Sequence, residues 1–292
     1  MPVQIDYRID WPGLFVLPPP FTILGDDLAS LNFYPLNCPE TSRMNDSCAV
    51  VLAAGKGTRM NSDLPKVLCP VVDRPMIHFV LDALEKAGIH RKIVVVGYQA
   101  DLVRQALADR TDEIEFVTQS EQLGTGHAVQ MCRSALEKQT GPTIVVAGDS
   151  PLIQATSLKK LLTHFDEKSP ALLLGTLEKE DPTGLGRIDR DASGNFMGIV
   201  EHKDATEAQL KIKEVNMSTY LFQTPDLLES LDRLSCDNAQ AEYYLTDCAR
   251  LLRESGRPVE AIAVLEQCES LSINNPDELR LVDEKMRTMG YA

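Results

Sequence analysis

The chain lacks any apolar run long enough to cross a bilayer. It also lacks a basic N-terminal region followed by an apolar stretch. Gly13-Leu14-Phe15-Val16-Leu17 is cut short at once by Pro18-Pro19-Pro20, which makes a poor signal peptide. No Cys-x-x-Cys occurs among the seven cysteines, Cys38, Cys48, Cys69, Cys132, Cys236, Cys248 and Cys268. Such scatter reads as free buried thiols in a reducing cytosol, and nothing in the spacing supports a catalytic thiol. Positive charge is scarce too: the formal net charge is −14. That balance argues against nucleic acid and against anionic membrane surfaces as partners, although local cations can still hold a nucleotide. Internal repeats and low-complexity tracts are missing. The expectation from these absences is a cytoplasmic protein with no membrane partner.

What is present divides unevenly. Residues 1–45 hold seven of the seventeen prolines and the only tryptophan, Trp11. Proline removes backbone donors and restricts its neighbours, so this stretch reads as an irregular or disordered extension. Met44 makes a translated leader the simpler account of it; an arm docking through Trp11, Phe15 and Phe21 is the sharper one. From residue 48 apolar runs alternate with helical spacing. Strands are expected at Cys48–Ala53, Lys92–Val96, Ile114–Val117, Thr143–Ala147, Ala171–Leu177, Gly184–Arg190, Phe196–Val200, Val215–Phe222 and Val259–Ala263. Helices are expected at Met76–Gly88, Ala100–Ala108, Thr125–Lys138, Ser157–Glu167, Asp226–Arg233, Gln240–Glu254 and Pro276–Met289. This alternation implies βαβ units and a mostly parallel sheet, whose ligands gather at the C-terminal strand ends. The domain reading is 1–45 extension, 46–275 catalytic domain and 276–292 C-terminal helix and linker.

The richest segment follows the first strand: Leu52-Ala53-Ala54-Gly55-Lys56-Gly57-Thr58-Arg59-Met60, then Pro65-Lys66. Glycines let backbone N–H groups approach a phosphate, and Arg59 and Lys66 offer it positive charge. A Walker loop would need Gly-Lys-Ser/Thr, and the dinucleotide fingerprint would need a third glycine where Met60 stands. A lone Gly-x-Gly is an ordinary tight turn; the longer pattern Leu-x-x-Gly-x-Gly-Thr-Arg-Met…Pro-Lys is more specific.

Three further constellations carry chemistry. Val145-Val146-Ala147-Gly148-Asp149 places a carboxylate past a buried strand, where it can ligate Mg²⁺ or cap the next helix. Gln119 can pair with a nucleobase edge, and Gly124-Thr125 opens a helix with free N–H groups. On its own that stretch is a capped helix start, with His127 a structural histidine. Glu201-His202-Lys203-Asp204 ends a hairpin. Glu201 can accept from sugar hydroxyls and Lys203 can hold a sugar phosphate, or the run is a solvated turn. No second His or Cys lies at zinc-ligand spacing from His202.

Together and in this order, these segments resemble the sugar-nucleotide pyrophosphorylases. Within them the chain is similar to the uridyltransferase domain of the bacterial bifunctional enzymes that make UDP-N-acetylglucosamine. The similarity runs from about Ser47 to about Asn275, most closely in Leu52–Leu68, Gln119–Ala128, Asp181–Ile188, Gly198–Thr206 and Asn238–Asp247. It implies an α/β fold: a Rossmann-like three-layer sandwich with a mostly parallel mixed sheet and a smaller sugar-binding β subregion. By that resemblance Leu52, Ala53, Ala54, Gly55, Gln119, Gly124 and Thr125 bind the nucleotide. Arg59 and Lys66 flank the triphosphate as catalytic cations, and Gly186, Glu201 and Asn216 bind the sugar. Asp149 and Asn274 ligate Mg²⁺. The implied substrates are UTP and a sugar 1-phosphate, N-acetylglucosamine 1-phosphate first, with another sugar 1-phosphate or a non-catalytic sensor as the alternatives. Two positions depart from the family: Ala147 replaces a tyrosine, and Met217-Ser218 replaces Thr-Gly. They bear on sugar selectivity more than on the reaction. The family's left-handed β-helix acetyltransferase domain has no counterpart in this sequence, so acetyl transfer and trimerisation through that domain are not expected.

Overall fold

A computed structural model describes residues 46–57, 60, 62–238 and 240–291. The segment 1–45 and Arg59 lie outside the described residues.

Strand β1 (Cys48–Ala53) sits in the middle of the sheet. It pairs in parallel with β4 (Arg91–Val96) on one side and with β6 (Thr143–Ala147) on the other. Beyond β4 lies β5 (Ile114–Thr118), also parallel. Beyond β6 comes β10 (Glu214–Phe222), antiparallel to both β6 and β7 (Leu172–Glu178). The edge strand β11 (Val259–Ala263) runs parallel to β7. The seven-strand path β11-β7-β10-β6-β1-β4-β5 is therefore mixed and mostly parallel. A hairpin of β8 (Arg187–Arg190) and β9 (Phe196–Val200) branches from it through the pair Val215↔Arg187. That hairpin is the smaller β subregion expected from the resemblance. Between β5 and β6 lie α3 (Thr125–Gln130) and α4 (Arg133–Leu136), one expected helix interrupted at Met131 and Cys132.

Strand side chains alternate between faces, so each central strand feeds two cores. Ala49, Val51, Val94, Val96, Ile144, Val146 and Leu173 face one layer of helices. That layer contains α1 (Met76–Ala87), α2 (Ala100–Ala106) and α5 (Ala155–Lys168). Cys48, Val50, Ile93, Val95, Val145, Leu172 and Leu174 face the other. There α3 and α4 are joined by α6 (Thr224–Asp232) and α7 (Asp247–Glu254). Helix α1 shows how the sequence specifies its layer. Ile77, Val80, Leu81 and Leu84 recur at helical spacing and are fully buried, and the helix stops at Gly88, whose φ of 92° suits glycine.

The third core belongs to the last helix, α8 (Pro276–Thr288). Its Val282 and Met286 are completely buried against Met60, Val71, Met76, Phe79 and Ile273. Asn275 caps it, accepting from the N–H groups of Asp277 and Glu278. Asp283 of α8 accepts from Val72 N at 2.6 Å, and Arg287 pairs with Asp73 at 3.0 Å. Val72 and Asp73 form the tight turn of the ribbon between β2 (Pro70–Val71) and β3 (Arg74–Pro75), with φ of 49° and 60°. Left-handed backbone at two residues with side chains is costly, and the bonds from α8 help to hold it.

One expected helix is shorter than its spacing suggests. Residues 240–246 are not helical; only Asp247–Glu254 is. Their backbone is drawn out to residues 123–126 instead. Tyr243 N donates to Leu123 O, Gly126 N to Tyr243 O, and Leu245 N to Thr125 Oγ1.

Met286→Ala should lower the unfolding free energy by about 2–5 kcal/mol, because it removes a fully buried side chain from the small third core. Urea denaturation measures this; an unchanged midpoint would show that α8 contributes nothing to the stability of the body.

Candidate active site

Chain direction along the sheet reverses between β1 and β6. From β1 the connections run outward to β4 and then β5, and the chain afterwards crosses back to β6 on the other side of β1. At such a switch point the loops leaving the two strands diverge and open a crevice for ligands. Leu52 and Ala147 are paired in register at the strand ends, and Gly148 N donates to Leu52 O at 2.9 Å. The segments after both strands therefore start level with each other.

Two predicted residues meet in that crevice. Lys66 Nζ lies 2.6 Å from Asp149 Oδ2. A third joins them from the far end of the chain: Lys66 Nζ donates to Asn274 Oδ1 at 3.4 Å. The side chains of Lys66 and Asp149 are 16% and 29% exposed, so water screens the pair only partly. A carboxylate and a carboxamide oxygen converging on one cation form a donor set of hard oxygens. That set suits Mg²⁺, which takes one or two protein oxygens and completes its shell with phosphates and water. Among the described residues no group of three or more His, Cys, Asp and Glu is arranged to hold a metal, so an all-protein cage is not on offer.

The predicted nucleotide residues line the neighbouring strand ends. Ala53 ends β1, and Ala54 and Gly55 follow it. Ala54 O accepts from Tyr98 N and from Gln122 Nε2, both at 3.0 Å. Gln119 is buried just past β5. Its Nε2 donates to Gly124 O and to His127 Nδ1, both at 3.1 Å. That contact makes His127 an acceptor in a structural network. The Thr125 hydroxyl accepts from Leu245 N, so it ties α3 to residues 242–246.

The predicted sugar residues also converge. Asn216 N donates to Gly186 O at 2.9 Å, which joins β10 to the start of β8. Gly186, Glu201 and Asn216 line one cleft of about 300 Å³ with Leu52, Thr125 and Tyr244. Leu52 and Thr125 connect that cleft to the end of β1 and the start of α3. A wider outer cleft shares Gly184, Glu201 and Tyr244 with it and adds His202, Lys203 and Asp204. Arg187 is buried; it donates to Leu185 O and at 3.4 Å to His202 Nδ1. Asn216 is itself oriented: its Nδ2 donates to Tyr220 Oη at 2.8 Å and its Oδ1 accepts from Ser218 N. Burial pushes the Tyr220 hydroxyl up to about 12, which keeps it a neutral partner.

The departures from the family pattern are now located. Ala147 and Met217 line one small pocket with Ser150, Leu152 and Leu271. Ser218 stands at the bulge of β10 with a φ of 53°, a left-handed conformation that glycine adopts without strain.

Reading the sequence passed over Gly97. A side chain there would meet Ala54 Cβ at 2.8 Å, Ala54 O at 2.9 Å and Gln119 O at 3.1 Å. The signal was available: Gly97 follows the apolar run of β4 as Gly148 follows that of β6. Glu278 and Tyr244 were also missed as single residues, since nothing local to either points to the site. Of the six described cysteines four fit the expectation of buried thiols, whereas Cys236 and Cys268 are only partly buried. Cys48, Cys69, Cys132 and Cys248 are buried, and burial pushes Cys132 and Cys248 up to about 12.

With this geometry in place, the chain can be assigned to a class. Residues 48–266 match the nucleotidyl transferase family, and the chain belongs to it. It is 45% identical over 240 residues to the bifunctional protein GlmU of Streptococcus gordonii, a match covering 82% of this chain and 51% of that protein. It is 43% identical over 239 residues to the bifunctional protein GlmU of an Exiguobacterium species, covering 82% and 52%. The similarity is to the N-terminal half of those proteins, so the chain spans about half the length of the curated relatives it matches. No helix among the described residues is long and apolar enough to cross a membrane.

Glu201 supplies a prediction. Desolvation by the cleft wall, and then the charge of Asp204, hold its carboxyl above the usual carboxylate range. Asp204→Asn removes the like charge and should lower the Glu201 pKa without abolishing the shift, since desolvation remains. A carboxyl ¹³C titration reads this; an unchanged or higher value would contradict the assignment.

Proposed function

We propose that this protein transfers UMP from UTP to N-acetyl-α-D-glucosamine 1-phosphate, releasing pyrophosphate, with Mg²⁺ held by Asp149 and Asn274. The observation that carries the reading is the meeting of Lys66, Asp149 and Asn274 at the β1–β6 crevice. The cleft of Gly186, Glu201 and Asn216, continuous with Leu52 and Thr125, supports a sugar seat beside it. Similarity to the two GlmU proteins over 82% of this chain supports the uridyltransferase reading.

In this reading Ala53, Ala54 and Gly55 bring backbone groups to the nucleotide, and Gly124 and Thr125 close around it. Gln119 has committed its amide hydrogens to Gly124 and His127, which leaves Oε1 to accept from a base imide N–H. When bound, Mg²⁺ neutralises charge on the reacting phosphates and the departing pyrophosphate. Lys66, which pairs with Asp149, turns its ammonium to the phosphates, and Arg59 is the second cation that the resemblance assigns to them. Glu201 and Asn216 orient the sugar so that its phosphate oxygen approaches the α-phosphorus in line. A bond forms from that oxygen to the α-phosphorus as the bond to pyrophosphate breaks. The nucleophile is already an anion, so the chain needs no strong base: it positions two polyanions and offsets their repulsion.

A panel of sugar 1-phosphates with UTP and Mg²⁺, read by pyrophosphate release, tests the proposal. N-acetylglucosamine 1-phosphate should turn over fastest; equal or faster turnover of glucose 1-phosphate would overturn the sugar assignment. The same panel tests the second reading, another sugar 1-phosphate such as glucose or glucosamine 1-phosphate, which is raised by the family departures at Ala147 and Met217.

Lys66→Ala and Asp149→Asn should each cut turnover by about 100-fold or more while the circular dichroism spectrum stays native. Near-normal turnover in either variant removes that residue from the mechanism.

A further inference from the structure

Asn274 presents a carboxamide whose two ends have similar shape and opposite chemistry. Only the oxygen end can ligate a cation. In the structure its Oδ1 faces Lys66 Nζ, the ammonium that also contacts Asp149. The other end is fixed from α8. Asn274 Nδ2 donates to Glu278 Oε2 at 3.1 Å and to Ser272 Oγ at 3.1 Å. The backbone N–H of Asn274 donates to the same Glu278 oxygen at 2.6 Å. Turned half way round, the carboxamide would set its N–H groups against the ammonium and its oxygen against a carboxylate. Both contacts would be repulsive, so Glu278 selects one orientation of two.

Glu278 is itself well placed for this. It stands in the first turn of α8, where a negative charge is favourable, and its own N–H is held by the Asn275 cap at 2.9 Å. The helix is anchored behind it by Val282 and Met286. The geometry points to Glu278 as a positioning residue for the metal site: it locks the Asn274 carboxamide so that Oδ1 faces the cation. This rests on the proposed reading of Asn274 as a metal ligand. The chemistry concerned is a hard divalent cation bound together with a nucleotide phosphate. Glu278 touches neither substrate nor metal; it acts through Asn274.

The test uses the full chain with saturating UDP-N-acetylglucosamine and titrates Mn²⁺, read by water-proton relaxation. Groups that orient a metal ligand commonly matter by about 10–100-fold in affinity, so Glu278→Ala should raise the half-saturating Mn²⁺ by about tenfold or more. Glu278→Gln keeps an oxygen that accepts from both Asn274 N–H groups and should stay close to the unaltered chain. Glu278→Asp keeps the charge at the helix start but withdraws the oxygen, so it should behave like Glu278→Ala. Asn274→Ala is the companion measurement. If it weakens Mn²⁺ and Glu278→Ala does not, the positioning inference fails alone. If Asn274→Ala binds Mn²⁺ normally, the ligand reading fails and takes this inference with it. A lowered melting temperature in Glu278→Ala with unchanged Mn²⁺ affinity would mean that Glu278 only stabilises the helix, and would also overturn it.

Discussion

The Lys66–Asp149 ion pair is the contact on which the rest of the site depends, and the sheet makes it possible. β1 and β6 run in register and end level, so the segments that leave them face one another across the switch point. Glycine at 148 lets its N–H reach Leu52 O and sets the carboxylate immediately beyond. Lys66 returns to the same point from a short turn at Lys66–Leu68, whose Val67 and Leu68 are buried. A carboxylate in a crevice that water reaches poorly is unfavourable alone, and so is an ammonium; together they offset much of that cost. In a chain of net charge −14 this arrangement keeps a cation in the crevice.

Local patterns made much of the fold legible. The central strands are apolar runs of Val, Ile, Leu and Ala, because both faces of the sheet are covered by helices. The two-fold alternation inside each run then decides which layer a side chain serves. Asp149 and the glycine loop could be found because each directly follows such a run. Gly186, Glu201 and Asn216 came from resemblance; on the residues alone a solvated turn is the better reading of the Glu201 segment. Their shared cleft depends on β10 meeting β8 through Val215 and Gly186, a pairing that no local pattern encodes.

Where expectation and structure part, tertiary hydrogen bonds outweigh local spacing. Residues 240–246 carry a helix-compatible sequence, yet their N–H and C=O groups find partners in Leu123, Thr125 and Gly126. A helix there would leave the loop before α3 without those partners, and buried backbone groups left unpaired are expensive. The result places Tyr244 and Leu245 in the wall of the cleft instead of on a helix surface. Ala241 takes a φ of 52° in the same stretch, a strained conformation that spacing arguments do not detect.

Helix α8 shows most clearly why a site cannot be read from its motifs alone. By sequence it is a terminal amphipathic helix, plausible as a mere connector. In the structure it closes the third core and braces the site from two directions. Asp283 accepts from Val72 N, and Arg287 first, then that bond, hold the Asp283 carboxyl below the usual carboxylate range. Through it α8 fixes the ribbon that follows the Lys66 turn. Glu278 accepts from Asn274, whose carboxamide oxygen in turn accepts from the Lys66 ammonium. Lys66 and Asn274 are 208 positions apart in sequence, yet one rigid helix sets the backbone near both. The precision of their meeting therefore depends on how firmly Val282 and Met286 are buried, so the packing of a distant core and the geometry of the crevice are a single constraint.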